Sequence, residues 1–431
     1  MKRFLLAAAI AATATCAHAG AWSLDSCIAY AHEHNISVRQ RAVDRLTAEY
    51  SVTEAKDRFL PTVSAGASQN FSFGRGLTGD NTYANRNTQS FGAQVGLNMP
   101  IFQGLAGVRR LDYAKAGLLA IIEQYEATKD DVTLNVISQY LQVLYCREML
   151  DVAADQVQLS RTELERRRVL LEAGKIAELD VLEAEAQLAR DELTRVNAEG
   201  DHELALVAMA RLLQLTDATN FDVQPVQPDD APLPSVDEVF ASALGSNHGL
   251  RAAELNVRAA EKNVSLSRTG YMPTLSFNAG LGTNYYKVGG IPGDTFGHQM
   301  RDNFSKSLGF TLSVPIFDAF GTRNSVRRAK AAQISAELQL DDARSQLYQN
   351  IRQAHTQATA ARRKCESGIV AERASRAALD AMQEKYNYGR ANATEFEQAK
   401  SAWFRTRSEL VQARYESMLR ARIVDFYFRG H

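Results

Sequence analysis

The chain from Ser90 to Asp112 reads SFGAQVGLNMPIFQGLAGVRRLD, and its hydrophobic period changes in the middle. Before Pro100 the apolar residues alternate as Phe91, Ala93, Val95, Leu97 and Met99, with Gly92, Gln94, Gly96 and Asn98 between them. A period of two, with one apolar and one polar face, predicts a strand. After Gly104 the period becomes helical and stays so. Proline stands at the change, where it can end a strand but cannot sit inside a helix. The same event returns in residues 307–330, SLGFTLSVPIFDAFGTRNSVRRAK, where Pro315-Ile316-Phe317 repeats Pro100-Ile101-Phe102 at an offset of 215 (315 − 100). A strand of membrane type hinged onto a very long helix, used twice, organises the chain.

The helix after Gly104 carries Leu111, Leu118, Tyr125 and Val132 seven apart, then Val136, Val143, Leu150 and Val157 after a shift of four. About 65 residues at 1.5 Å each make a helix ~100 Å long, which implies a coiled coil. The pattern breaks near Gly174 and restarts, with Leu179, Ala186 and Leu193 in one row and Leu182, Ala189 and Val196 in the next. Gly174 is therefore predicted to turn a helical hairpin, and Gly389, 215 residues on, a second one.

Upstream, a helical segment is expected over about Leu24 to Arg58 and a strand after Pro61, with a polar loop over Gly74 to Thr88. Residues 219–234 hold four of the nine prolines and read as a linker. Ser235 with Glu238 then forms a capping-box pattern. Pro273 matches Pro61 at an offset of 212, and Lys287 to Ser305 is the second polar loop. The expected organisation is thus a signal peptide over 1–19, a first repeat over 20–218, the linker over 219–234 and a second repeat over 235–431. The signal is read from Lys2, Arg3, the apolar run behind them and Ala17-His18-Ala19. Cys16 lacks the context of a lipoprotein cleavage site.

The chain has 431 residues, 23% charged, with net charge −1, which gives no support for nucleic-acid binding. No apolar run after the signal approaches the ~20 residues a membrane helix needs. Each half supplies two strands, and four cannot close a barrel, since membrane barrels begin at about eight. Open strand edges do not persist in lipid. Copies must therefore share a barrel; a dimer would bring eight strands and a trimer twelve, and periodicity does not choose between them. The fold class is mainly α, long antiparallel coiled-coil hairpins plus four strands per chain, with a shared membrane β-barrel. The apolar barrel face is expected to carry Val63, Phe91, Val95, Leu97, Leu275, Phe277, Phe310 and Leu312.

The residues that carry chemistry elsewhere do not do so here. Gly74-Arg75-Gly76-Leu77-Thr78-Gly79 fits the dinucleotide pattern, but no helix opens after it. His32 and His34 are two apart on a helix and do not share a face, so no metal site is expected. No nucleophile, base and acid set stands out, so no enzyme and no cofactor are expected. Arg166-Arg167-Arg168 reads equally as a solvated helix end or as a contact for an acidic partner.

Taken together, Leu24-Asp25-Ser26-Cys27-Ile28 with Ala31 and Asn35, Phe59-Leu60-Pro61, Pro100-Ile101-Phe102, and Gly174 with Asp180-Val181-Leu182 resemble the TolC-type outer membrane efflux proteins. Tyr271-Met272-Pro273, Pro315-Ile316-Phe317 and Gly389 with Glu395-Phe396 echo them in the second half. Residues 71–76 are also similar to the first hairpin of Bacteroidetes-type members. The resemblance implies a homotrimer with a twelve-stranded barrel in outer-membrane lipid and a helical tunnel across the periplasm. It implies a periplasmic adaptor and an inner-membrane pump as partners, and a passive duct as the function. A non-conducting envelope coiled coil and a general diffusion porin are the alternatives. It also implies a gate at the tips: Tyr386 would bond Asp180, and Arg390 stands beside the position of a gating arginine. Gln398 takes the place of a pore-narrowing aspartate, with Glu395 one turn before it as a substitute carboxylate.

Overall fold

The computed structural model describes residues 21–77, 81–216, 221–227 and 232–429. The predicted signal peptide lies outside them, as do parts of the linker. The elements are α1 (Leu24–His34), α2 (Ile36–Asp57), β1 (Thr62–Ser72), β2 (Arg75–Leu77), β3 (Tyr83–Asn85), β4 (Thr88–Phe102), α3 (Ala106–Glu172), α4 (Glu178–Leu213), α5 (Val236–Ser246), α6 (His248–Ser267), β5 (Thr274–Val288), α7 (Phe296–Asp302), β6 (Ser305–Ser313), α8 (Gly321–Asn387) and α9 (Ala393–Arg429). Helices α3 and α8 are each 67 residues long. The chain divides into two compact units that cut across the sequence repeat. One gathers the chain up to Ala42 with Tyr125–His248 and Arg344–His431; the other gathers Val43–Gln124 and Gly249–Ala343.

The helical unit is cored by the predicted seam of α3, while Leu179, Leu182, Leu193 and Val196 of the rows read on α4 are exposed in the single chain. Val136, Tyr140 and Val143 of α3 are fully buried with Met209 and Leu213 of α4. Part of the predicted linker joins this core rather than spanning free. Trp22 pairs with Val223 as a short parallel bridge, and Tyr140 Oη donates to the carbonyls of Trp22 and Gln224 at 2.9 and 2.7 Å. The single helix expected over Leu24 to Arg58 is two. Asn35 takes an extended conformation between α1 and α2, accepts from the Ser37 amide through its side chain, and donates from Nδ2 to the Leu212 carbonyl. Asn247 breaks the second copy the same way, its amide bonded to Ala243 as that of Asn35 is to Ala31. The Ser235–Glu238 capping box forms as read.

The sheet unit holds a four-stranded antiparallel sheet in the order β1-β4-β5-β6. Pro61 and Pro273 stand just before β1 and β5, and Pro315 stands just after β6. Pro100 does not end its strand. It lies within β4, opposite Ser276, before a register shift to Phe102. The reason is pairing: β1 begins at Thr62 opposite Asn98, so beyond Asn98 only one side of β4 is hydrogen-bonded, and a residue without an N–H is tolerated there. Two left-handed residues then turn the chain into each long helix. Gly104 and Leu105 (φ 58° and 66°) precede α3, and Ala319 and Phe320 (φ 51° and 65°) precede α8 at the same offset of 215. A side chain at Gly104 would place its Cβ 2.4 Å from Met272 Cβ, so the first hinge requires glycine. Asp318 secures the second by accepting from the Thr322 amide at 2.7 Å.

Both predicted polar loops carry structure. The first holds the short β2–β3 ribbon. The second holds α7, which shields the edge of β5 beyond the end of β6. Gln299 accepts from the Tyr286 amide and donates to the Tyr286 carbonyl at 3.0 and 3.1 Å, as a neighbouring strand would.

Candidate functional site

The register of the sheet decides which side chains share a face. Val63 is opposite Leu97, Leu97 opposite Ala279, and Ala279 opposite Leu308. Phe277 is opposite Phe310, and Leu275 opposite Leu312. All eight residues read as the apolar face lie on one side, and Val63, Phe310 and Leu312 are at least 65% exposed. Phe91 departs from that reading in one respect. Phe296 of α7 packs on it, with ring centres 5.4 Å apart, and on Tyr285 at 5.1 Å. Where the four strands run together, the other face is Ser, Thr, Asn, Gln and Gly with Pro100, and carries no charge. Asn98 donates to Asn278 at 2.7 Å and Asn278 to Thr311 at 3.0 Å, a polar row across three strands. Such a sheet can face hydrocarbon on one side and water on the other. Among the described residues no helix is long and apolar enough to cross a membrane.

In the helical unit the two hairpin tips are built alike. Gly174 and Gly389 both have φ 69°. Lys175 bonds the Leu170 carbonyl at 2.9 Å and Arg390 the Lys385 carbonyl at 2.8 Å, the bond of a Schellman stop. The helices restart with carboxylates reaching back to them. Asp180 accepts from the Ala177 amide at 3.1 Å. Glu395 accepts from the Asn392 amide at 3.0 Å and donates from its own amide to Asn392 Oδ1 at 2.8 Å. The matched positions six residues after each glycine are therefore the third residues of their helices, whose carboxylates satisfy the amides of the capping residues Ala177 and Asn392.

This corrects the pairing expected of Tyr386. Its hydroxyl donates to Glu163 Oε1 at 2.7 Å, not to Asp180, whose short side chain is turned onto its own helix. Burial and the bond to Glu163 hold the Tyr386 hydroxyl above its ordinary pKa. The ring stacks on Phe396 at 5.1 Å, and the Arg166 guanidinium lies over it at 4.6 Å. Arg166 also donates to Asn387. Arg167, 3% exposed, reaches Glu163 at 3.4 Å, Glu397 at 3.6 Å and the Asp180 carbonyl at 3.0 Å. Arg168 pairs with Glu165 and Glu185 on the surface. The arginine run is thus neither a solvated end nor wholly a free surface for a partner, because two of its members join the first hairpin to the second. Arg390 and Gln398 are exposed at the second tip. Glu163 was invisible in sequence, where it belongs to a charged run, and Arg167 was singled out there only as one of three arginines, without its buried partners. Among the described residues no group of His, Cys, Asp and Glu is placed to hold a metal.

A sheet with a lipid-compatible face, joined to coiled-coil hairpins, defines a subunit of an outer-membrane channel. Residues 28–214 and 239–422 each match the family model described as outer membrane efflux protein. The chain belongs to the outer membrane efflux protein family, and it serves as an exit duct in the outer membrane. It is 26% identical over 330 residues to protein CyaE of Bordetella pertussis, covering 76% of this chain and 68% of that one. It is 24% identical over 401 residues to outer membrane protein TolC of Escherichia coli, covering 89% and 78%. The CmeC outer membrane channel of Campylobacter jejuni superposes with a TM-score of 0.79 at 17% identity, covering 94% of this chain and 85% of that one.

Proposed function

We propose that three copies share a twelve-stranded barrel and form the exit duct of a tripartite efflux pump or type I secretion system. The observation that carries this is the open sheet: among the described residues β1 and β6 each pair on one side only, while one face is apolar but for Lys306 near the start of β6. Free edges in lipid need strand partners, and further copies supply them. A second surface fits the same reading. Leu179, Leu182, Leu193 and Val196 of α4 are each more than half exposed along one heptad seam, as an interface between copies would be. A periplasmic adaptor and an inner-membrane pump complete the path and supply the energy. The duct closes at the tips, where Tyr386 on Glu163 and Arg166 on Asn387 hold the second hairpin to the first. Arg390, Glu395 and Gln398 face the narrow end.

Single-channel recording in planar bilayers, with the native mass measured in mild detergent, tests this reading. Trimer-sized particles that conduct are expected. A stable monomer overturns the shared barrel. Trimers that never conduct leave the structural coiled coil in its place.

A further inference from the structure

One buried cation near the tip has no part in the gate as described above. Lys400 lies in the second turn of α9 and is 1% exposed. Its Nζ is 2.6 Å from Glu397 Oε2 and donates across to Ser160 Oγ of α3 at 3.0 Å. The Ser160 hydroxyl donates in turn to the buried Asp191 of α4. Asp191 also accepts from Gln156 at 2.7 Å and Gln187 at 2.9 Å. Three helices meet at one hydroxyl.

A buried ammonium is costly, so its place needs a reason. Satisfying Asp191 is not the reason. Asp191 keeps three donors without Lys400, whereas Glu397 Oε2 is buried with the ammonium 2.6 Å away, so Lys400 answers that oxygen at one end and Ser160 at the other. The pattern along α9 supplies the reason. Lys400, Arg407 and Arg414 are seven apart and all face α3, with Arg407 on Asp155 at 2.7 Å and Arg414 on Glu148 at 2.8 Å. Those two rungs are open to water, which screens them. Only the rung nearest the tip is dry.

We propose that Lys400 is a gating residue whose bond to Ser160 forms a second latch between the hairpins, separate from the Tyr386 contact. The proposal rests on the gate reading above. On opening, the ammonium leaves Ser160 and follows Glu397 toward water on its flexible stem, while Ser160 stays on Asp191. No charge is stranded, so the latch can close again.

The test is single-channel recording of the purified full-length protein carrying Ser160→Ala, Lys400→Met, Ser160→Thr or Tyr386→Phe. Loss of a hydrogen bond to a charged group predicts that Ser160→Ala and Lys400→Met each raise the open fraction roughly tenfold. The pair should do no more than either alone, and Ser160→Thr, which keeps the hydroxyl, should gate as wild type. Ser160→Ala, which leaves the ion pairs from Lys400 through Glu397 and Arg167 to Glu163 in place, should multiply the effect of Tyr386→Phe, as independent latches do. If Tyr386→Phe opens the channel while Ser160→Ala and Lys400→Met do not, the latch is wrong and the gate stands. If all of them gate as wild type, the gate reading itself fails. Should Lys400→Met not reach the outer membrane, Ser160→Ala decides alone, since it changes no charge.

Discussion

Replacing Tyr386 by Phe removes one oxygen from the tip and little else. The ring keeps its stacking on Phe396 and the guanidinium of Arg166 over it. What is lost is the 2.7 Å donation to Glu163, whose side chain is only 8% exposed. A hydrogen bond to a charged group contributes about 1.5–3 kcal/mol, and a buried acceptor left short of a donor is the costly case. Glu163 retains the longer contact from Arg167 at 3.4 Å, which argues for the lower end. About 1.5 kcal/mol is roughly a tenfold change in an equilibrium. If this contact holds the tip shut, Tyr386→Phe raises the open fraction of the isolated channel about tenfold. Glu163→Gln keeps an acceptor oxygen but loses its charge, so it should open the channel less. The double variant should fall short of the sum by about 1 kcal/mol, since Tyr386→Phe removes the bond that Glu163→Gln only weakens. Open probability in planar bilayers at fixed voltage measures all three. Wild-type gating of Tyr386→Phe refutes the reasoning, and so do effects that add within about 0.5 kcal/mol, the behaviour of uncoupled sites.

Three further outcomes are expected. Asp180→Ala removes the carboxylate that reaches back to the Ala177 amide, so it should lower stability by about 0.5–1.5 kcal/mol and show no coupling to Tyr386→Phe in the gating assay. Val95→Arg or Phe310→Arg puts a charge on the apolar face, at a cost of roughly 2–4 kcal/mol at the membrane midplane, and should lower the yield of assembled protein in the outer membrane far more than Gln94→Arg on the polar face. Equal yields would reject the assignment of faces. The raised pKa of Tyr386 sets a third. The folded tip keeps a proton that the unfolded chain loses near pH ~10, so this contribution is whole below that value and is lost as pH rises through the folded pKa. The melting difference between wild type and Tyr386→Phe should stay constant up to about pH 9 and shrink above about pH 10; a difference that grows there would contradict the assigned bond.

The strands, the long helices and their turns were legible because each is periodic or punctuated. Alternation gave the sheet faces residue for residue, and Gly174 and Gly389 fell at left-handed positions that only a turn requires. Features set by neighbours distant in sequence were not. Pro100 stays in its strand because β1 stops short of it, and nothing near Pro100 reveals where β1 stops. The seven residues of α7 are too few to display a helical period. Glu163 sits in a run of charges that reads as solvated, and only the second hairpin, more than two hundred residues away, makes it buried. One signal was present and read for another purpose. Asn392 followed three residues later by Glu395 is a capping pattern, and Asp180 stands at the same place in the first tip.

The two repeats share a backbone and divide its chemistry. Helix starts Ala106 and Gly321, ends Glu172 and Asn387, and restarts Glu178 and Ala393 all differ by 215. At that offset Tyr386 matches Leu171, Lys400 matches Glu185, Arg167 matches Met382 and Glu163 matches Ala378. The polar bolts therefore have no mirror image. They join the first hairpin to the second within one copy, whereas α4 presents an exposed apolar seam outward. In the proposed trimer the joint between copies is then apolar and the joint within a copy is polar. Apolar burial is non-directional and roughly proportional to area, so it holds through small adjustments and suits a permanent joint. A buried polar network is satisfied in one geometry and costly when half broken, which favours two discrete positions over a continuum. A duct that must stay assembled while its end opens and closes needs one joint of each kind, and the divergence of the repeats supplies them.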